Sequence, residues 1–259
     1  MFKRTKNKEL ALLVDFKTDV GRTRKNNEDA FIVERVNSKR AESKGCLCLV
    51  ADGMGGQDHG DVASKVVVST FNKAIEDIDK YQNVEDWLKA AGRRANDAIR
   101  YQLSRLNPAN GMGSTVVGGL FLADECYFFN VGDSRAYMLR EGNMRRITKD
   151  HSLMEIFIDG GVIQPEDVYT HPRRGELSRY VGQPDDLEVD VFPVGPLQKD
   201  DVILICSDGL WEMVRDPEMK MVLENNKNPV KATTELIDKA NQNGGADNIT
   251  AIVVRVIEK

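Results

Sequence analysis

The spacing of apolar residues along this chain excludes most ways of stacking its elements. Three strand-like runs come first: "LALLVDFKTD" (Leu10 to Asp19), "AFIVERV" (Ala30 to Val36) and, after the charged turn "NSKRAESKG", "CLCLVAD", which stops at Asp52. From Val62 the period changes. Ala63, Val67, Phe71, Ala74 and Ile78 recur every three or four residues and predict one helix face, with Asp61 as its N-cap. A second helix is predicted from Val84 to Leu106, closed by the breaker run "NPANG". Strands return in "STVVGGLFLAD", "ECYFFNVGD" and "RAYMLREG", joined by hairpin-length links. The stretch from Asp150 to Gly182 is less regular, with Gly160-Gly161, two prolines and "HPRRGE", and reads as a helix plus a mobile lobe. Two more strands, "LEVDVFPV" and "DVILICSD", precede the helices "PEMKMVLENN" and "NPVKATTELIDKANQ", each entered through proline, and "NITAIVVRV" closes the chain as a strand. This order has no regular βαβ alternation, so a doubly wound parallel sheet is excluded. Grouped strands separated by helix pairs predict two antiparallel sheets with helices outside.

A chain of 259 residues can bury a full core as one domain, and no linker, repeat or low-complexity run divides it. Residues 1–9 read as a disordered tail. Thirty-six basic against 41 acidic residues leave a net charge of −5, which gives no support for nucleic-acid binding. The start "MFKRTKNKEL" lacks an apolar segment behind its basic residues, so it is not read as a signal peptide. No run approaches the ~18 apolar residues of a membrane span. The expected location is the cytoplasm, without a membrane partner. Cys46, Cys48, Cys126 and Cys206 all lie in apolar runs and read as buried free thiols, the first two on one strand face. Asn248-Ile249-Thr250 matches the glycosylation pattern and is read as accidental.

Acids recur where apolar runs end. Glu28-Asp29, Asp52, Asp133, Asp208 and Asp247 each stand beside Gly, Asn, Ser or another acid at a strand end or turn. One Asp-Gly after a strand is usually only a turn. Five such positions could be gathered at one sheet edge. Clustered carboxylates raise each other's pKa and stay ionised together only beside cations. Oxygen-only ligation suits Mg²⁺ or Mn²⁺, and the shortage of His and Cys argues against zinc. Two such ions about 3.5–4 Å apart can hold a bridging water and make it a nucleophile toward a phosphate ester. Arg24, five residues before Asp29, carries a fork that matches two phosphate oxygens, although a solvated turn cation is the blander reading.

In this order the stretches "GRTRKNNEDAF", "VADGMGGQDHGDVAS", "GSTVVGGLF", "NVGDSRAYMLR", "ITKDHSL", "VILICSDGLWEMV" and "GGADNITAIVV" resemble the metal-dependent protein serine/threonine phosphatases of type 2C. They span Asp19 to Val256, and the "DGMGG" form resembles the bacterial branch. The resemblance implies an α+β fold: an αββα sandwich of two antiparallel sheets flanked by helices, forming one catalytic domain over 10–259 with a flap at about 152–182. It implies that Asp52 bridges two ions of Mn²⁺ or Mg²⁺ and that the Gly53 carbonyl binds one of them. Asp208 and Asp247 would complete one shell, Glu28 and Asp29 would hold the other ion partly through water, and Arg24 would bind the substrate phosphate. Asp133 matches a residue that helps to hold a third, weaker ion in bacterial relatives. The implied reaction is hydrolysis of phosphoserine and phosphothreonine on proteins by direct attack of the bridging water or hydroxide, in a monomer serving a serine/threonine kinase and its targets.

One position departs from the family pattern. Many eukaryotic relatives carry His after the Asp-Gly pair, and here Met54 stands there. The leaving-group proton then comes from metal-bound water or from another group. His59, His151 and His171 all read as structural, the last within the flap. Two other classes fit the residues less well. A non-catalytic phosphoprotein-binding module would lack one or more of the acids, and a nuclease or small-phosphate hydrolase would not need the whole motif series.

Overall fold

The computed structural model describes residues 10–39, 45–55, 59–105, 111–122 and 125–259. The expected tail, Leu106 and most of the "NPANG" breaker lie outside them. Eleven strands and six α-helices are present among the described residues. One sheet holds β1 (Leu10–Asp19), β7 (Arg135–Arg140), β8 (Asn143–Arg146), β10 (Val202–Cys206) and β11 (Ile249–Glu258) in the order β1-β11-β10-β7-β8. The second runs β2 (Asp29–Val36), β3 (Gly45–Gly55), β5 (Val116–Phe121), β6 (Cys126–Val131) and β9 (Asp190–Pro193), with β4 (Met112–Ser114) on the far end of β3. Every pairing is antiparallel.

Three apolar layers hold the sandwich together. Alternation along β3 shows how one strand serves two of them. Cys48 and Val50 face the layer between the sheets, beside Phe128, Ile205 and Ile252. Leu47, Leu49 and Ala51 face the opposite way, against α1 (Gly60–Ala74) and α2 (Val84–Arg105). Both faces are buried, so the run is almost continuously apolar. Phe71 of α1 stacks on Phe129 of β6 with ring centroids 5.2 Å apart. On the outside of the first sheet, α4 (Asp208–Trp211), α5 (Asp216–Asn225) and α6 (Pro229–Gln242) cover Leu204, Ala251 and Val253. Pro229 opens α6 behind Asn228, whose side chain accepts the Val230 N–H at 2.9 Å. This is the αββα sandwich expected from the order of elements.

The differences are local. The first helix starts at Gly60, not after Asp61. Asp61 sits in the first turn, where its charge favours the helix dipole and meets Lys65 at 2.7 Å. The apolar stripe reaches Ile78 only through a 3₁₀ turn, Ile75–Lys80. β3 does not stop at Asp52: it continues to Gly55 by pairing Gly53 with Ser114 and Gly55 with Met112. A Cβ on Gly53 would lie 1.9 Å from the Gly60 carbonyl oxygen, so only glycine lets the strand pass the start of α1 this closely. Asp208-Gly209 likewise opens the short α4 instead of a turn. Hairpin β7–β8 includes a strand, Asn143–Arg146, that its polar sequence hides.

The region from 152 to 182 holds α3 (Leu153–Asp159), capped by Ser152 on the Glu155 N–H at 3.2 Å, and a 3₁₀ turn, Pro165–Thr170. Arg174 pairs with Glu212 at 3.2 Å, and the Arg215 guanidinium lies 3.3 Å over the Tyr169 ring. This region is thus tied to α4 and the segment that follows it.

Candidate active site

Strand register gathers the acids at one edge of both sheets. Asp29 opens β2 directly opposite Asp52 on β3. Cys206, two residues before Asp208, pairs with Ala251, four residues after Asp247. Val131, two residues before Asp133, pairs with Val116 at the start of β5. A cleft of about 240 Å³ at this edge is lined by Arg24, Glu28, Asp52, Gly53, Met54, Asp133, Asp208 and Asp247, with Thr115, Gly55, Gly175 and Leu177. Asp29 is the one predicted acid not on its wall. It lies behind, where Oδ2 accepts Ser207 Oγ–H at 2.7 Å and Thr250 Oγ1–H at 2.6 Å.

Hydrogen bonds hold the backbone around Asp52. Its N–H donates to Thr115 Oγ1 at 3.0 Å, its carbonyl accepts Ser114 Oγ–H at 2.9 Å, and the Gly53 N–H donates to the Glu28 carbonyl at 3.2 Å. Arg24 reaches Asp247 Oδ2 through Nη2 at 2.7 Å and is half exposed. Asn248 ties the loop before β2 to the start of β11. Its Oδ1 accepts the Glu28 N–H at 2.8 Å, and its Nδ2 donates to the Val20 and Asn26 carbonyls at 3.0 and 2.9 Å.

The electrostatics of the cluster are unfavourable for free carboxylates. Burial pushes Asp52 well above the ordinary range, and the charges of Asp29, Asp208, Asp133 and Asp247 push the same way. Asp208 is raised by burial, then by Asp133 and Asp247. Burial lifts Asp133 to about 7, with Asp150 adding to it. Burial lifts Asp29 to about 6 against the opposing hydrogen bonds from Thr250 and Ser207. Glu28 is also raised, chiefly by burial.

Two buried oxygens, Asp29 Oδ1 and Asp208 Oδ1, have no protein partner. Buried polar atoms normally have one. Orphaned acceptors, mutually raised carboxyls and a lining without His or Cys fit hard divalent cations, for which oxygen is the preferred ligand. Among the described residues no group of three or more His, Cys, Asp or Glu side chains is arranged to hold a metal ion as it stands, so the acids share one cleft without forming a ready ligand set.

The family described as Protein phosphatase 2C matches residues 22–252. The chain belongs to the protein phosphatase 2C family. It is 37% identical over 243 residues to the "Serine/threonine phosphatase stp" of Listeria innocua, covering 93% of this chain and 94% of that one. The crystal structure of the serine/threonine phosphatase Stp1 from Staphylococcus aureus superposes with a TM-score of 0.85 at 30% identity, over the whole of both chains. The catalytic domain of the phosphatase PstP, in complex with two manganese ions, superposes at 0.82 with 30% identity, covering 96% of this chain and 100% of that one. The expected family, its sandwich fold and the reading as a protein serine/threonine phosphatase all stand.

Other expectations can be set against this phosphatase. Met54 lines the cleft, and His59 is not on the wall. His151 is buried and bonded to backbone, and His171 ends the flap's 3₁₀ turn against the Phe157 ring, so both stand as structural residues. All four cysteines are free, with Cys46 and Cys48 sulfurs 3.7 Å apart and Cys46 only partly buried. The supporting residues Thr115, Ser207, Thr250 and Asn248 carry no motif of their own in the sequence. Their signal was a polar side chain inside a buried apolar motif, as in "GSTVV", "ICSDG" and "DNIT".

Proposed function

We propose that this chain hydrolyses phosphoserine and phosphothreonine on proteins with the help of two Mn²⁺ or Mg²⁺ ions held at the acid edge. The observation that carries this reading is the pair of buried carboxylate oxygens, on Asp29 and Asp208, that the protein itself leaves unpaired. Asp52, Asp208 and Asp247 would hold one ion. Asp52, Glu28 and Asp29 would hold the other, and Asp133 a third and weaker one. The Gly53 carbonyl would bind one of the first two. When bound, such ions neutralise the carboxylates and provide a water nucleophile near neutral pH.

The chain's own groups bind and orient. Arg24 spends one nitrogen on Asp247 and keeps a fork of donors at the cleft mouth, suited to two phosphate oxygens. Asp247 in turn fixes where that fork stands. Thr115 and Ser114 hold the Asp52 backbone, so its carboxylate needs no reorganisation during reaction. The nearby hydroxyls are buried and engaged, Ser207 and Thr250 on Asp29 and Thr115 on the Asp52 N–H and the Ser134 hydroxyl, which leaves them unsuited to act as nucleophiles. Water attacking phosphorus in one step, with no phosphoenzyme, is the consistent route. With Met54 on the wall and His59 off it, the leaving-group proton would come from water or from another group of the cleft.

The proposal extends to residues 10–259 as the catalytic domain and 152–182 as its flap. It also extends to a cytoplasmic monomer and to a serine/threonine kinase and its targets as substrates. These rest on the family likeness. No described helix is long and apolar enough to cross a membrane.

The test compares phosphopeptide, nucleotide and DNA turnover after chelation and again after adding Mn²⁺ or Mg²⁺. Phosphopeptide hydrolysis that disappears with chelation and returns with metal is expected. Full activity in an Asp52→Asn variant, or a trapped phosphoryl-enzyme, would sink the reading.

A further inference from the structure

The turn between β6 and β7 carries Asp133, and its backbone is held from several sides. Gly132 has φ +105°, a conformation other residues rarely adopt, and a Cβ there would lie 2.7 Å from Thr115 side-chain atoms. Its N–H donates to His151 Nδ1 at 3.0 Å, and its carbonyl accepts the His151 N–H at 2.8 Å. Asn130 Nδ2 donates to the same carbonyl at 3.1 Å. On the other side, the Trp211 indole N–H donates to the Asp133 carbonyl at 3.0 Å, with the Arg135 guanidinium 3.5 Å over its ring.

His151 is 8% exposed, and both of its ring nitrogens are engaged. Nδ1 can accept from Gly132 only if it carries no proton, so the proton of the neutral ring sits on Nε2. Nε2 lies 3.2 Å from Asp190 Oδ2 and 3.1 Å from Arg179 Nη1; a guanidinium nitrogen offers only donors and Nη1 already donates to Asp190 Oδ1, so the Nε2 proton is directed to Asp190 Oδ2. Asp190 is held below the ordinary carboxylate range, first by that bond to His151 and also by Arg179. Arg179 belongs to the returning limb of the flap and donates to Asp190 Oδ1 at 2.7 Å. Its neighbour Ser178 donates its N–H to the His151 carbonyl at 2.9 Å. The flap limb and the Asp133 turn therefore meet on one imidazole.

We infer that Arg179, Asp190 and His151 form a relay that couples the flap to the turn carrying Asp133. Arg179 places Asp190, Asp190 selects the Nε2–H tautomer, and the bare Nδ1 holds the Gly132 peptide that aims Asp133 into the cleft. His151 is a positioning residue and touches no reacting atom. The inference deepens the proposed function, and rests on it for the role given to Asp133.

The test uses three variants of the full chain. His151→Asn keeps an acceptor at the Nδ1 position, His151→Leu removes it, and Asp190→Asn removes the charge that selects the tautomer. Three quantities are read: the imidazole ¹⁵N spectrum, amide exchange at Gly132, and the Mn²⁺ concentration for half-maximal phosphopeptide hydrolysis beside Mn²⁺ binding by calorimetry. Wild type should show the Nε2–H tautomer, and Asp190→Asn a mixture. His151→Leu should exchange Gly132 faster and require more Mn²⁺, each by about tenfold, the worth of one lost hydrogen bond. His151→Asn should stay within about twofold of wild type, a rescue that a general loss of packing would not produce. A wild-type proton on Nδ1, an unchanged Gly132 amide in His151→Leu, or His151→Asn behaving as His151→Leu overturns the relay. A wild type that hydrolyses no phosphopeptide with Mn²⁺ counts against the proposed function instead, and the tautomer and exchange readings still decide the relay.

Discussion

Replacing Asp29 with asparagine should stabilise the metal-free protein and weaken the metal-loaded one. Asp29 is 9% exposed, and its carboxyl is lifted from an ordinary 3.8 to about 6. A rise of about two pH units corresponds to about 3 kcal/mol between the two protonation states. The sign follows from linkage. The folded state holds this proton more tightly than the unfolded chain, so the associated stability is present below the unfolded value. It is lost as pH climbs through 4 to 6. Above about pH 6 the metal-free protein carries the full cost. An amide removes that cost and can still accept from Ser207 and Thr250, but its NH₂ takes the place of the unpartnered Oδ1, which costs about 1 kcal/mol. The net gain is about 2 kcal/mol at pH 7.5, which for a chain of this size is a Tm rise of about 4–8 °C. Thermal unfolding in EDTA at pH 4.5 and 7.5 reads it directly. The variant's advantage should shrink on acidification and reverse when Mn²⁺ is added. A variant no more stable than wild type in EDTA at pH 7.5, or an advantage independent of pH, would refute the reasoning.

Gly53→Ala places a Cβ 1.9 Å from the Gly60 oxygen and should cost about 3 kcal/mol, measured as a lower urea midpoint; an unchanged midpoint would show that the strand can move aside. Asn248→Ala loses bonds to Glu28, Val20 and Asn26, so stability should fall by about 2–4 kcal/mol and protease cleavage near 22–27 should accelerate. Arg24→Ala should raise KM for a phosphopeptide by about 10–100-fold with a smaller change in kcat, and Arg24→Lys should recover only part of it, because a single ammonium cannot span two oxygens. Equal steady-state constants for the alanine, lysine and wild-type proteins would remove Arg24 from the phosphate site.

The outcome for individual residues separates what was local from what was not. The stripe Ala63-Val67-Phe71 and the alternation in β3 were legible because helix and strand periods are written in neighbouring residues. Asp61 was misread as the N-cap because the start of α1 is set by the close approach of Gly60 to Gly53, two backbones that belong to different elements. β8 was missed because it is a four-residue edge strand, Asn143 to Arg146, in which Met144 is the one apolar residue, too little for an alternating pattern. Asn248 looked like an accidental glycosylation pattern, yet it is 4% exposed and ties the loop before β2 to the start of β11.

By itself, the sequence determined the class of fold, the acids and their order, and their likeness to the protein phosphatase 2C family. Each of these is carried by periodicity, turn chemistry or residue type over short spans. Only the tertiary structure decided that Asp29 faces Asp52 but stands behind the cleft wall on Ser207 and Thr250. It also decided that His151, just past the β7–β8 hairpin that follows Asp133, grips the turn that carries it. The reason is physical. Strand register and packing bring together groups more than two hundred residues apart, such as Asp29 and Thr250, and burial there sets charges and tautomers that no local pattern encodes.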